Sequence, residues 1–120
     1  MLKMVTLMPR KPGMSRAEFI DYYENHHVPL SFALFPQIKK MVRNYASTDN
    51  FHYIASATIP KVPFDAVVEH WFADQASFDE MMAQFAADPE KFRKLSEDEA
   101  HFCDREHTVM FMVEVHQTQG

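Results

Sequence analysis

The stretch Asp65-Ala-Val-Val-Glu-His-Trp-Phe72 decides how this chain folds. In an extended strand Ala66, Val68, His70 and Phe72 point to one side, and Asp65, Val67, Glu69 and Trp71 to the other. Large apolar groups fall on both sides, the pattern of a strand covered on both faces. His70 breaks it, because an imidazole among Ala66, Val68 and Phe72 is costly to bury unless it finds a partner. Two readings stay open: a core histidine bonded to a backbone carbonyl, or one member of a proton-transfer pair across a cleft.

Working outward, Leu2 to Met8 reads as another strand covered on both faces, ended by the break from Pro9 to Gly13. Ser15 with Glu18 three residues later forms a capping box, and Met14 with Phe19 a hydrophobic staple, so a helix starts at Arg16. Phe19, Tyr23, His26 and Leu30 continue at helical spacing. Pro29 removes a backbone donor and crowds the preceding turn, which predicts a kink or an end near His27. Ile38 to Tyr45 reads as a second strand. The segment from Ala46 to Pro63, with Asp49, Asn50, His52 and Tyr53, is expected to be partly irregular and to line a cleft.

Beyond Phe72, Asp74 can cap a helix carrying Phe78, Met81, Met82 and Phe85 on one side, and Asp88-Pro89 starts another. Phe92, Leu95, Glu99 and Phe102 continue at helical spacing. Thr108 to Val115 is the last strand, with Val109, Phe111, Val113 and Val115 on one face and Met110 and Met112 on the other. The order β-α-β-β-α-β is the ferredoxin-like arrangement, with both helical layers on one face of a four-stranded antiparallel sheet. The other face, expected to carry Trp71, Met110 and Met112, would be bare in a monomer. A homodimer that closes two sheets into a barrel is the simplest way to cover it.

Composition narrows the function. The 120 residues make one domain spanning 1–120, with 11 Phe and 9 Met that suit a pliable apolar pocket as well as a core. A formal net charge of −5, without a Lys/Arg run longer than two, argues against nucleic acid and anionic membranes as partners. No apolar run approaches the roughly 20 residues of a membrane span, and Met1 to Arg10 lacks a signal peptide's apolar run and cleavage site. With one cysteine, Cys103, which cannot form an internal disulfide, a cytoplasmic location is expected. Two glycines, Gly13 and Gly120, leave no phosphate-cradling loop, and no serine sits in a nucleophile elbow.

The seven histidines are the informative set, since imidazole is best poised for proton transfer near neutral pH. His26 and His27 are adjacent on a helix and point about 100° apart, so at most one faces the sheet. His52, His101, His107 and His116 read as solvated. Cys103 reads as a small buried residue at a helix end. The spacing of His101, Cys103 and His107 matches no standard zinc pattern, and no metal or cofactor is expected. Glu97, Asp98 and Glu99 read as a solvated helical face, with Asp98 the more structural residue.

Lys11-Pro-Gly-Met-Ser15, Phe19, Tyr22-Tyr23 and His27-Val-Pro-Leu30 together resemble the opening of the EthD-like family of dimeric α+β barrels. The resemblance continues through Tyr45, the strand Asp65 to Phe72, and Asp98-Glu99 with Phe102 and Asp104, and so spans nearly the whole chain. It implies the ferredoxin-like dimeric fold. The superfamily includes polyketide cyclases, muconolactone isomerases, cofactor-free monooxygenases and haem-degrading enzymes, among which fold alone does not choose. By resemblance His27 is the family's characteristic polar residue, with Tyr23, Tyr45, Trp71 and Asp104 lining or bracing the same cleft. In relatives like methylmuconolactone isomerase a reactive side chain lies between the Glu and Trp of the central strand, where this chain has His70.

The resulting expectation is a cofactor-independent isomerase, cyclase or lyase for a small aromatic, lactone or polyketide-like molecule. His27 and His70 are its candidate catalytic residues, and Tyr23, His26, Tyr45, Trp71, Phe72 and Asp104 its candidate substrate contacts. The helix dipole would favour His27 as the acid, and burial would favour His70 as the base. A cofactor-free monooxygenase and a non-enzymatic ligand-binding module are the alternatives, and the segment from Ser47 to Pro63 is expected to shape substrate choice.

Overall fold

The computed structural model describes residues 1–47 and 62–120; His52, Tyr53 and most of the segment expected to shape substrate choice lie outside them. Strand β1 (Leu2–Met8) leads to helix α1 (Arg16–Tyr22), a π turn (Tyr23–His27) and helix α2 (Val28–Leu34). Strands β2 (Ile38–Tyr45) and β3 (Ala66–Phe72) follow, then α3 (Gln75–Ala87), α4 (Pro89–Phe102), a 3₁₀ turn (Arg105–His107) and β4 (Val109–Val113). The four strands form one antiparallel sheet in the order β2-β3-β1-β4, the ferredoxin-like arrangement expected from the element order. Among the described residues no helix is long and apolar enough to cross a membrane.

Local signals set the helix starts. Ser15 Oγ accepts from the Glu18 amide at 3.1 Å while Glu18 accepts from the Ser15 amide at 3.0 Å, completing the capping box. Gly13, at φ 85°, makes the preceding turn in a conformation that side-chain-bearing residues avoid. Asp74 caps α3 through the Ser77 amide at 2.8 Å, and Asp88 caps α4 through the Glu90 and Lys91 amides.

Pro29 disturbs the helix near His27, as expected. It does so without ending the helical stretch, because the turn before the proline widens: the Val28 amide reaches back to the Tyr23 carbonyl. Such a π turn accommodates the proline's missing donor inside an otherwise continuous helix, and rotates the side chains it contains relative to α1.

Register fixes which side chains face the helices. Met4 lies opposite His70 and Met112, and Thr6 opposite Val68 and Met110. With Met4, Thr6, Met8, Ala66, Val68 and Phe72 all buried, this is the helix-covered face. Met110 and Met112 therefore belong to the helix side, not to the outer face with Trp71 as their parity had suggested. The outer face carries Val5, Leu7, Val67, Glu69, Trp71, Val109, Phe111 and Val113. Beneath the helices Phe19, Tyr23, Val68, Phe72 and Phe102 are fully buried, and the Tyr23 and Phe102 rings meet at 4.9 Å between centroids. Burying a side chain of this size contributes about 1.5–3 kcal/mol.

Candidate active site

Between the helices and the sheet lies a cavity of about 80 Å³, several water volumes in size. Its walls are largely apolar, with Met4, Met8, Phe35, Ile38, Phe72 and Met81 among them. Among the described residues its polar lining is short: Thr6, His27, Ser31, His70, Glu99 and Thr108, besides the Tyr23 ring. His27 and His70, separated by 43 positions in sequence, thus reach one cavity, the helix histidine from above and the strand histidine from below.

His27 is brought there by the π turn and is held from α4. Its Nδ1 lies 2.8 Å from Asp98 Oδ2, and the other oxygen of Asp98 accepts from the Tyr22 hydroxyl at 2.8 Å. A carboxylate accepts only, so Nδ1 carries the proton and the neutral ring keeps its lone pair on Nε2. Burial lowers the His27 pKa from its ordinary value, outweighing the opposing pull of Asp98. The dipole expectation fails here, because His27 sits midway along a helical stretch rather than at its C-terminal end. The Tyr22 hydroxyl is pushed up to about 12 by burial and then by Asp98, so it stays a donor at neutral pH.

His70 is the more perturbed ring. Burial, followed by the nearby charges of His27 and Arg43, lowers its pKa to about 4. Its Nδ1 is buried and finds no hydrogen-bond partner among the described residues, so the backbone-carbonyl reading of this nitrogen does not hold. Burial thus lowers the pKa of both rings, and at His27 alone a carboxylate opposes it by stabilising the protonated form.

The remaining expected contacts divide. Tyr23 and Phe72 line the cavity with the two histidines. Tyr45 stands one layer away: its hydroxyl donates to Glu24, which also receives Arg43 through contacts of 2.9 and 2.6 Å. His26 is exposed and stacks on the Tyr22 ring at 4.6 Å, bracing the residue that holds Asp98. Trp71 is on the outer face beneath Lys3 and Lys40, 4.8 and 5.7 Å from its ring. Asp104 pairs with His107 at 2.8 Å and borders a separate open groove with Arg10, Lys11 and Asp65.

Sequence reasoning took Asp98 as structural and Glu99 as part of a solvated face, and gave Thr6 no role. The signal was present, since Leu95, Asp98, Glu99 and Phe102 are spaced i, i+3, i+4 and i+7, the inward stripe of α4. Glu99 lines the cavity, and burial raises its pKa against the lowering effect of Arg105, 3.5 Å away. Cys103 is buried with its thiol pushed up to about 12 by burial, which keeps it unreactive. Among the described residues no three His, Cys, Asp or Glu side chains converge as a metal ion would require.

An antiparallel sheet under one layer of helices, with a histidine-lined cavity between them, defines an α+β protein of the ferredoxin-like class. The chain belongs to the EthD family, whose EthD domain matches residues 11–106. No curated protein matches it. Among solved structures it is similar to an ethyl tert-butyl ether (EthD) family protein from Bacillus halodurans, at 17% identity and a TM-score of 0.61, over 97% of this chain and 100% of that one. An Arabidopsis thaliana protein has 13% identity and a TM-score of 0.64, over 99% of both chains. HapK from Hahella chejuensis has 14% identity and a TM-score of 0.57, over 100% of this chain and 98% of its own. At these identities the likeness speaks for the fold.

Proposed function

We propose that the cavity is the active site of a cofactor-independent isomerase, cyclase or lyase acting on a small aromatic, lactone or polyketide-like molecule. The observation that carries this reading is the pair of imidazoles on one cavity, one of them fixed by Asp98 with Nε2 free to accept a proton. In the proposed step a C–H proton next to a substrate carbonyl moves to His27 Nε2, and its electron pair moves onto the carbonyl oxygen as an enolate. The imidazolium is stabilised by Asp98 and later returns the proton to another atom. Positioned acid–base catalysis of this kind contributes about 10²–10⁴-fold. The apolar walls exclude water from the enolate.

The test is proton exchange. Small aromatic ketones and lactones incubated with the protein in deuterium oxide should lose the NMR signal of the acidic C–H, and His27→Ala should suppress that loss. A panel giving no exchange above the buffer rate would remove the acid–base reading and leave a ligand-binding module.

The same proposal includes a homodimer through the outer sheet face. It is supported by the apolar row of Val5, Val67, Phe111 and Val113, by the 42% exposure of Phe111, and by a buried Trp71 Nε1 that has no partner among the described residues. Sedimentation at micromolar concentration should give a dimer; a monomer would refute this part.

A further inference from the structure

We propose that Thr6 and His70 form a hydrogen-bonding subsite for one neutral oxygen of the substrate, a phenolic hydroxyl or a carbonyl, and that the cavity selects such molecules over carboxylates. This deepens the reading above and rests on it. Thr6 is on β1 and His70 on the neighbouring β3, and both line the cavity. Because Met4 is the residue opposite His70, Thr6 stands diagonal to His70 on the same face, a relation that places the two residues roughly 7–8 Å apart with their Cβ atoms somewhat closer. Both polar atoms are closed to solvent, so one small polar group between the two side chains contacts them once Thr6 and His70 turn toward it.

Two features point to an oxygen ligand there. Thr6 Oγ1 and His70 Nδ1 are both buried and lack a partner among the described residues, on a wall otherwise made of Met4, Met8, Ile38 and Phe72. A buried polar atom left unpaired costs about 1–3 kcal/mol, so two on one wall are a standing cost to the fold that a bound oxygen would offset. The charge balance then limits what that oxygen can be. Among the described residues no lysine or arginine lines the cavity, whereas Glu99 does and Asp98 lies directly behind His27. A carboxylate or phosphate would be desolvated without a cation to receive it, while a hydroxyl or carbonyl needs only the donor and acceptor that Thr6 and His70 offer.

The experiment compares phenol, toluene and benzoate by ligand-observed NMR and calorimetry at pH 7, with the wild-type chain and Thr6→Val, Thr6→Ala and Thr6→Ser variants. Wild type should bind phenol roughly three- to tenfold more tightly than toluene, the worth of one ordinary hydrogen bond, and benzoate most weakly. Thr6→Val should lose the preference for phenol while keeping toluene affinity, and should melt no lower than wild type because it removes an unpaired hydroxyl. Thr6→Ala makes the same comparison should valine crowd the cavity, and Thr6→Ser should retain the preference. An undiminished phenol preference in both Thr6→Val and Thr6→Ala overturns the subsite, as does benzoate binding as tightly as phenol; the small-molecule reading survives either result. If no probe binds any of the proteins, that broader reading fails and the subsite with it.

Discussion

Replacing His70 with leucine should flatten the acid sensitivity of the fold. Leucine is close to histidine in volume and suits a wall of Met4, Ile38 and Phe72. In the folded chain burial holds His70 at about 4, against an ordinary value of 6.5. Between these values the unfolded chain binds a proton that the folded chain does not, so stability falls as pH drops through 6.5, and the loss is complete only below about 4. At 1.36 kcal/mol for each unit of difference, wild type should lose about 3 kcal/mol through this one residue by pH 4. Urea denaturation of both proteins at pH 7 and at steps down to pH 4 measures it. Groups that do not act on His70 cancel in the difference between the two proteins, whose gap should close by about 3 kcal/mol in the variant's favour as the solution is acidified, with the charge of His27 on His70 included in that figure. Parallel acid dependences, differing by less than about 1 kcal/mol over the range, would show that His70 is not held neutral by burial and would refute the reasoning.

Further outcomes follow from the same contacts. Asp98→Asn should lower substrate proton exchange severalfold or more and make the nitrogen that carries the His27 proton indefinite, a change visible in the ring's ¹⁵N shifts; activity and shifts both unchanged would deny Asp98 a positioning role. Exchange by wild type should decline on acidification only below the ordinary histidine value of 6.5, as His27 takes its proton, because burial lowers that pKa. Trp71→Ala should weaken self-association and the fold together, by up to about 3–5 kcal/mol, as read by sedimentation and thermal melting; an unaltered dimer would move the interface elsewhere.

Most of the fold was legible because its signals are local. The Ser15 and Glu18 pair, Asp74, and Asp88-Pro89 each mark a helix start within a few residues, and the alternation through Ala66 to Phe72 marks the central strand. Less legible was anything that depends on packing between distant segments. Pro29 announced a disturbance, but not that it would be a π turn whose Tyr23 and His27 pack against Phe102, at 4.9 and 4.8 Å. Parity within β4 grouped its residues correctly, yet only pairing with β1 decides which group faces the helices, and Met110 and Met112 were placed on the wrong side. The two histidines stood out as polar residues against apolar patterns. Asp98 and Glu99 did not, since two acids on a charged helix look solvated until Phe102 and Leu95 orient the stripe inward. Thr6 carries no sequence signal at all, being a β-former inside a strand.

The central claim, two neutral imidazoles facing one ligand cavity, is tested most directly by ¹⁵N-histidine NMR as a function of pH with and without phenol. The account predicts that His27 at pH 7 is neutral with its proton on Nδ1, that His70 titrates well below the ordinary histidine value of 6.5, and that phenol shifts these two rings while leaving His101 and His116 in place. A His27 that is protonated at pH 7, or phenol shifts confined to the surface histidines, would contradict it.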